Sequence, residues 1–372
     1  MINCKAKEKP KAVKNEKSLI FSAGETSGYN HHACIAYFKG KFYSAWSSSP
    51  QHEDDCGQRI MMSVSKDFYN WCEPFPIIDS MQGRYSPAVL LAGGMSVFGD
   101  TLYLYFGHYE YAKEEVRENG TLRPLAEDDT YHTDTKAGYI RTEDGENWSK
   151  PEFLNIPGVP NHAPSPLHSG RLLMPCSILY PYSDDPGSVG EYKFAGIYGD
   201  SFGDEAPYDD SVSINAVTKK MGWNVPLICE GAFFQTDDDV IHMMLRTNSD
   251  YLWCAESRDN AESWSQPYQT EFTDDKAKFH FGRLPDGRFY YVGNCVPGGG
   301  RLPLMLCVSE DGENFDRHYT LRDEPYTKKY PGLYKGGVYG YPVSLVHDGY
   351  LYVIYSKHKE AIEVTRVALS DI

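Results

Sequence analysis

The sequence predicts an all-β fold, a six-bladed β-propeller, with seven blades as the alternative count. Three observations predict it: a hairpin pattern recurs six times, an aspartate-bearing turn follows four of those hairpins, and helical periodicity is nearly absent. The 29 Tyr, 17 Phe and 6 Trp among 372 residues suit pleated, half-buried strands better than helices.

The hairpins are "IAYFKGKFYSAW" (35–46), "MSVFGDTLYLYFG" (95–107), "SPLHSGRLLMPC" (165–176), "AFFQTDDDVIHMML" (232–245), "FGRLPDGRFYYVGN" (281–294) and "VSLVHDGYLYVIYS" (343–356). Their turns carry Lys-Gly, Gly-Asp, Ser-Gly, Asp-Asp and Asp-Gly, the residues that tolerate the positive φ a tight hairpin demands. A third apolar segment follows, as in "RIMMSVS" (59–65), "KFAGIYG" (193–199) and "LPLMLCVS" (302–309), and a fourth strand per unit is expected. One propeller domain is therefore expected over residues 18–372. The lysine-rich start, residues 1–17, reads as a flexible tether with Cys4 near its head, similar to the stretch after the lipid-bearing cysteine of a bacterial lipoprotein.

A net charge of −16 argues against nucleic acid or an anionic membrane as partner, while a local basic cleft leaves room for an acidic substrate. No apolar run reaches transmembrane length, so no membrane-spanning segment is expected. The nine cysteines show no C-x-x-C spacing and read as buried small hydrophobes, with no disulfide assigned.

The second repeat is "SKDFYNW" (65–71), "RTEDGENW" (141–148), "SRDNAESW" (257–264) and "SEDGENF" (309–315), with Glu143 read at the Asp position of the second copy. These turns resemble the Asp-box of sialidase-like propellers, in which the Asp accepts backbone N–H bonds and the aromatic plugs between strands. The resemblance covers nearly the whole chain and implies site residues. It puts Glu230 and Arg246 of "CEGAFFQTDDDVIHMMLR" on the family's glutamate and second carboxylate-clamping arginine. It puts Arg301 on the third arginine, Tyr341 on the nucleophilic tyrosine and Asp55 near the acid/base aspartate. The first arginine strand instead reads His31-His32-Ala33.

Exchanging a clamping arginine for imidazole weakens a bidentate carboxylate grip and adds a group that titrates near neutrality. The site so altered resembles that of ulvan-lyase-type polysaccharide lyases, which implies β-elimination at a uronate. The expected parts are His31 or His32 with His52 for proton transfer or charge neutralisation, Tyr109 as partner tyrosine beside His108, and Arg246 or Arg301 on the carboxylate. The leading expectation is thus a secreted, periplasmic or lipid-anchored lyase acting on acidic polysaccharide or oligosaccharide, a monomer without redox cofactor. The alternatives are a sialidase-like glycoside hydrolase using Tyr341, Glu230 and Asp55, and a non-catalytic glycan-binding propeller. No catalytic metal is expected, because imidazoles on successive strand residues point to opposite faces. The acidic runs 127–130 and 236–239 read as solvated loops with structural calcium as a minor alternative, and "VPGGGR" (296–301) lacks the helix of a phosphate loop.

Overall fold

The computed structural model describes residues 1–111, 132–196 and 222–372. Six sheets of antiparallel strands make six propeller blades, so the seven-blade count does not apply. Each predicted hairpin supplies the first two strands of a blade, and the first strands begin at Tyr29, Val89, Ser165, Ile228, His280 and Tyr339. The first strands of blades 1 and 2, 4 and 5, 5 and 6, and 6 and 1 neighbour one another around the axis. The run 127–130 lies outside the described residues, and among those described no helix is long and apolar enough to cross a membrane.

Blade 6 takes three strands from the C-terminal end of the chain, and its fourth, Asn15–Ser22, comes from the other end and pairs with Ala361–Ala368. This shared blade closes the ring. The tether expected at residues 1–17 is instead docked: Ile2 is 2% exposed, and Lys11–Ala12 pairs in parallel with the outer strand Arg317–Arg322 of blade 5. Extended backbone running beside an outer strand finds its unpaired N–H and C=O groups, which is why the segment adheres.

The core is a set of seams between blades rather than one centre. A separate buried cluster fills each of the six blade-to-blade contacts. The aspartate turns seal four of these seams, because the aromatic of each packs against the preceding blade. Trp148 joins the seam of blades 1 and 2, and Trp264 sits 4.7 Å from the Tyr180 ring of blade 3. Phe315 is fully buried against Phe234 and Phe272 of blade 4, and Trp71 closes on blade 6.

In the second copy the turn is organised by Asp144, which corrects the assignment to Glu143. Asp144 Oδ1 accepts from Thr142 Oγ1 at 3.0 Å and from the amides of Glu146 and Asn147 at 2.8 and 2.7 Å. The Asn147 side chain and amide hold Asp144 well below the usual carboxylate range. Gly145 follows at φ +78°, where an added Cβ would meet Tyr43 Oη at 2.0 Å, so only glycine fits. Replacing Asp144 by Ala is expected to lower the midpoint of denaturant unfolding, since several backbone donors lose their acceptor together. Glu143→Ala, at an exposed position, should stay within about 0.5 kcal/mol of the parent.

Candidate active site

Four first strands carry a bulge near their starts, Ala92–Gly94 in blade 2 and three that concern the site: His31–Cys34 in blade 1, Ile228–Gly231 in blade 4 and Gly340–Val343 in blade 6. A bulge inserts one residue and re-aims the side chains beside it. At these bulges His32 has φ +54° and Tyr341 φ +55°, left-handed backbone that costs about 1–3 kcal/mol for such residues and clusters at functional sites.

The result is an assembly around Tyr341. Its ring lies 4.1 Å from that of His31 and 5.2 Å from that of His32, and its hydroxyl is 2.7 Å from Arg246 Nη1. The same Nη1 is hydrogen-bonded to Glu230, whose carboxylate also accepts from the Tyr341 hydroxyl. Arg301 stands 5.5 Å from the ring centre, with Nη1 buried and unpartnered. It is fixed by Asp275, which accepts from its backbone amide, and by Lys276 O, which accepts from Nη2 at 3.0 Å. Gly337 at φ +82° makes room, since a Cβ there would meet Arg301 Cδ at 2.3 Å. His31, His32, Glu230, Arg246, Arg301 and Tyr341 are thus brought together.

Other residues expected at the site are placed elsewhere or used differently. His52 Nδ1 accepts from Leu333 N at 2.9 Å and ties its loop to the segment after blade 5. Asp55 accepts from His52 N at 2.9 Å and closes the same loop. His108 is buried, with Nδ1 3.1 Å from Asp134 O and its ring 5.4 Å from that of Phe153, in blade 2 rather than in the Tyr341 group. Tyr109, on the opposite face of that strand, belongs to a small buried cluster with Tyr111 and bonds Asp54. The acidic run 236–239 is taken up by Arg283, Thr236 and His168.

Four residues escaped the sequence reading. Lys278 and Lys359 place their ammonium groups 5.6 and 5.9 Å from the Tyr341 ring centre, and Lys359 pairs with Glu53. Beside Glu53, Asp54 has φ +59°, and burial and the Glu53 charge push its carboxyl up to about 7. No motif marks these positions. The adjacent acids of "HEDDCG" were the available signal, and they pointed one residue too far along.

Charge sets the protonation of the whole group. Burial, with Lys359, His32, Arg301 and Lys278 adding to it, holds His31 well below its ordinary value; burial and the two lysines do the same to His32. Both imidazoles are therefore neutral near pH 7, which leaves charge neutralisation to the four cations. Ser356 Oγ donates to Gly340 O and lies 2.6 Å from His31 Nδ1, so Nδ1–H donates to Ser356 and Nε2 keeps a free lone pair. Burial raises Tyr341 well above a free phenol despite Arg246. Burial pushes Glu230 up, but the Arg246 charge, the bonds from Tyr341 and Arg246 and the Lys278 charge together outweigh it and leave the carboxyl below its usual range.

The bulge also overturns the argument against a shared metal ligand set, because ligand atoms of His31, His32 and Glu53 lie within 4.8 Å of one another. The charge opposes a cation instead: Glu53 is already paired with Lys359, and Lys278 and Arg301 stand alongside. Against Arg246, Arg301, Lys278 and Lys359 stand two paired carboxylates, Glu230 and Glu53, so an anion fits where a metal ion does not.

The BNR repeat-like domain model matches residues 40–353. The chain belongs to the BNR repeat-like family. No curated protein matches the chain, whereas many solved structures share the fold. A protein of unknown function from Dyadobacter fermentans is 15% identical with a TM-score of 0.68, over 96% of this chain and 99% of that one. A sialidase is 17% identical with a TM-score of 0.65, over 99% of this chain but 35% of its own. The Trypanosoma rangeli sialidase in complex with sialic acid is 13% identical with a TM-score of 0.63, over 96% of this chain and 59% of its own. This BNR repeat-like chain therefore spans little more than a third and about three fifths of those two sialidases, and shares with them the propeller.

Burial pushes Lys278 down to about 8. Binding of a uronic acid, followed by calorimetry, should therefore weaken about tenfold or more between about pH 7 and pH 9 as the ammonium deprotonates. Lys278→Met should bind weakly throughout and lose that pH dependence.

Proposed function

We propose that this protein is a carbohydrate-active enzyme that cleaves an acidic glycan, with Tyr341 as the nucleophile of a retaining hydrolysis. The observation that carries the reading is the Tyr341 hydroxyl held between Glu230 and Arg246 beneath four cations. A nucleophile bonded to a base, with the base oriented by a third group, is the arrangement by which weak hydroxyls are activated.

The substrate carboxylate seats among Arg301, Lys278 and Lys359. As Tyr341 Oη bonds to the anomeric carbon, its proton passes to Glu230, the glycosidic bond breaks, and the leaving oxygen takes a proton from Asp54. Water then displaces Tyr341 Oη, giving its proton to the Asp54 carboxylate, while Glu230 returns a proton to the phenol. Asp54 replaces Asp55 in this role because its carboxyl is buried beside Glu53 and raised, whereas Asp55 closes its own loop. A carboxyl raised to about 7 keeps its proton in about half the molecules at neutral pH and in nearly all below it, which a general acid requires.

A second reading, β-elimination of the ulvan-lyase kind, is favoured by one observation: two neutral imidazoles with unpartnered nitrogens, His31 Nε2 and His32 Nδ1, packed against Tyr341. Here an imidazole takes the proton α to the uronate carboxylate, the C4–O bond breaks, the leaving oxygen takes the Tyr341 proton, and a C4–C5 double bond remains.

Digestion of a panel of sialylated and uronate glycans separates the two. Hydrolysis should release reducing sugar without ultraviolet absorbance from an unsaturated uronate. Tyr341→Phe should lower kcat on the order of 10³-fold or more, while His31→Ala keeps most turnover. Appearance of the double-bond absorbance, with a loss on the order of 10²–10⁴-fold in His31→Ala or His32→Ala, would transfer the assignment to the lyase. For the hydrolase, kcat should fall as pH rises through about 7, where Asp54 loses its proton, and Asp54→Asn should remove that limb while Asp55→Asn retains it.

A further inference from the structure

Outside the group around Tyr341, four side chains from four separate segments meet in blade 5. Cys4 comes from the docked N-terminal segment, Cys295 from the loop after the strand Phe289–Gly293, Cys307 from the strand Leu304–Ser309 and His318 from the outer strand Arg317–Arg322. Cys4 Sγ lies 3.6 Å from Cys307 Sγ, Cys295 Sγ lies 3.7 Å from Cys307 Sγ, and Cys4 Sγ lies 3.4 Å from His318 Nε2. One ligand atom from each falls within 4.8 Å of all the others. The three thiols are buried and His318 is partly so.

We propose that Cys4, Cys295, Cys307 and His318 form a structural zinc site that clasps the N-terminal segment to blade 5. Thiolates about 2.3 Å from a tetrahedral zinc stand about 3.8 Å from one another, and an imidazole nitrogen about 2.0–2.1 Å from the metal stands about 3.6 Å from each sulfur. The three separations lie close to these tetrahedral edges. They are far beyond the sulfur–sulfur bond of a disulfide, about 2.05 Å, and three thiols cannot all pair. Three cysteines and one histidine with no open position is a closed, structural ligand set rather than a catalytic one.

Thiols placed only to fill space need not converge, and a fourth, polar donor would have no reason to point at them from the surface strand. His318 Nε2 also lies 2.9 Å from Phe315 O, a bond the ring N–H gives up when its lone pair turns to the metal.

The clasp has a mechanical purpose. The N-terminal segment carries lysines at 5, 7, 9 and 11 and few apolar anchors, and its contacts with blade 5 are sparse: Asn3 N donates to Glu313 O at 2.9 Å, Phe315 N to Asn3 O at 3.0 Å and Lys7 N to Asp316 O at 3.1 Å. A metal bond to Cys4 fixes this strip just ahead of the strand Asn15–Ser22 that closes the ring. The cysteines expected to be plain small hydrophobes thus divide into this group and the rest, and a Cys4 committed to zinc is not free to carry a lipid.

Elemental analysis of the full-length protein purified without chelator should find about one zinc per chain, released when an organomercurial caps the thiols. Refolding with cobalt(II) should give thiolate-to-cobalt charge transfer and the intense visible bands of tetrahedral coordination. Cys307→Ser and His318→Ala should each lose the zinc and lower the melting temperature, while Cys72→Ser, an exposed thiol outside the group, keeps both. Absence of metal from the wild-type protein, a different metal at that stoichiometry, or a thiol count under denaturing, non-reducing conditions two short of nine would each overturn the site. The wild-type measurements do not depend on any variant folding.

Discussion

Ring closure is the constraint on which everything else in this molecule depends. The strand Asn15–Ser22 completes blade 6 from the opposite end of the chain, and only then does blade 6 lie against blade 1. The candidate site is built across that seam. His31 of blade 1 bonds Ser356 of blade 6 and packs on Tyr341, residues more than three hundred positions away. The fully buried Lys335–Glu360 pair braces the same seam, with Lys335 Nζ also donating to Gly28 O at 2.7 Å. A buried ion pair of this kind is weak evidence for added stability, but removing one partner would strand the other charge. Its consequence is positional: it keeps the segment carrying His358 and Lys359 against the start of blade 1.

A propeller of identical strands would present alternating side chains and a bland axis. The bulges in blades 1, 4 and 6 break that alternation where the strands begin, so two successive histidines, a glutamate and a tyrosine all face one space. The backbone strain at His32 and Tyr341 is sustained by the packed seams around it.

Electrostatically the site inverts the molecule that holds it. A chain of net charge −16 gathers two arginines and two lysines around one phenol. Long-range attraction of an acidic glycan is not expected from such a protein, and at physiological salt exposed charges act over only about 8 Å. Recognition must therefore come from contact, where desolvated cations meet a carboxylate at short range. Burial, with the same field adding to it, keeps His31 and His32 neutral, so imidazole in place of a guanidinium removes one fixed charge without placing another there.

Much of this was written into local sequence. Hairpin turns, strand patterning and the aspartate turns are short-range signals, because φ preference, alternation and a carboxylate capping its own turn are decided within a few residues. They determined the blade count, whereas Glu230, Arg246, Arg301 and Tyr341 were singled out by the resemblance of their segments to those of sialidase-like propellers. Within the second turn the pattern was misaligned by one residue, and only the hydrogen bonds distinguish Asp144 from Glu143. What tertiary structure alone decided are the encounters between distant segments. Lys278 and Lys359 carry no motif and matter because they end beside Tyr341. Asp54 exceeds Asp55 as a candidate acid because of which one is buried beside Glu53. The bulges that turn His31 and His32 the same way, the docking of residues 1–17, and the meeting of Cys4 with residues 295, 307 and 318 all require the ring to close first. Burial and proximity are properties of the closed ring, and no spacing along the chain encodes them.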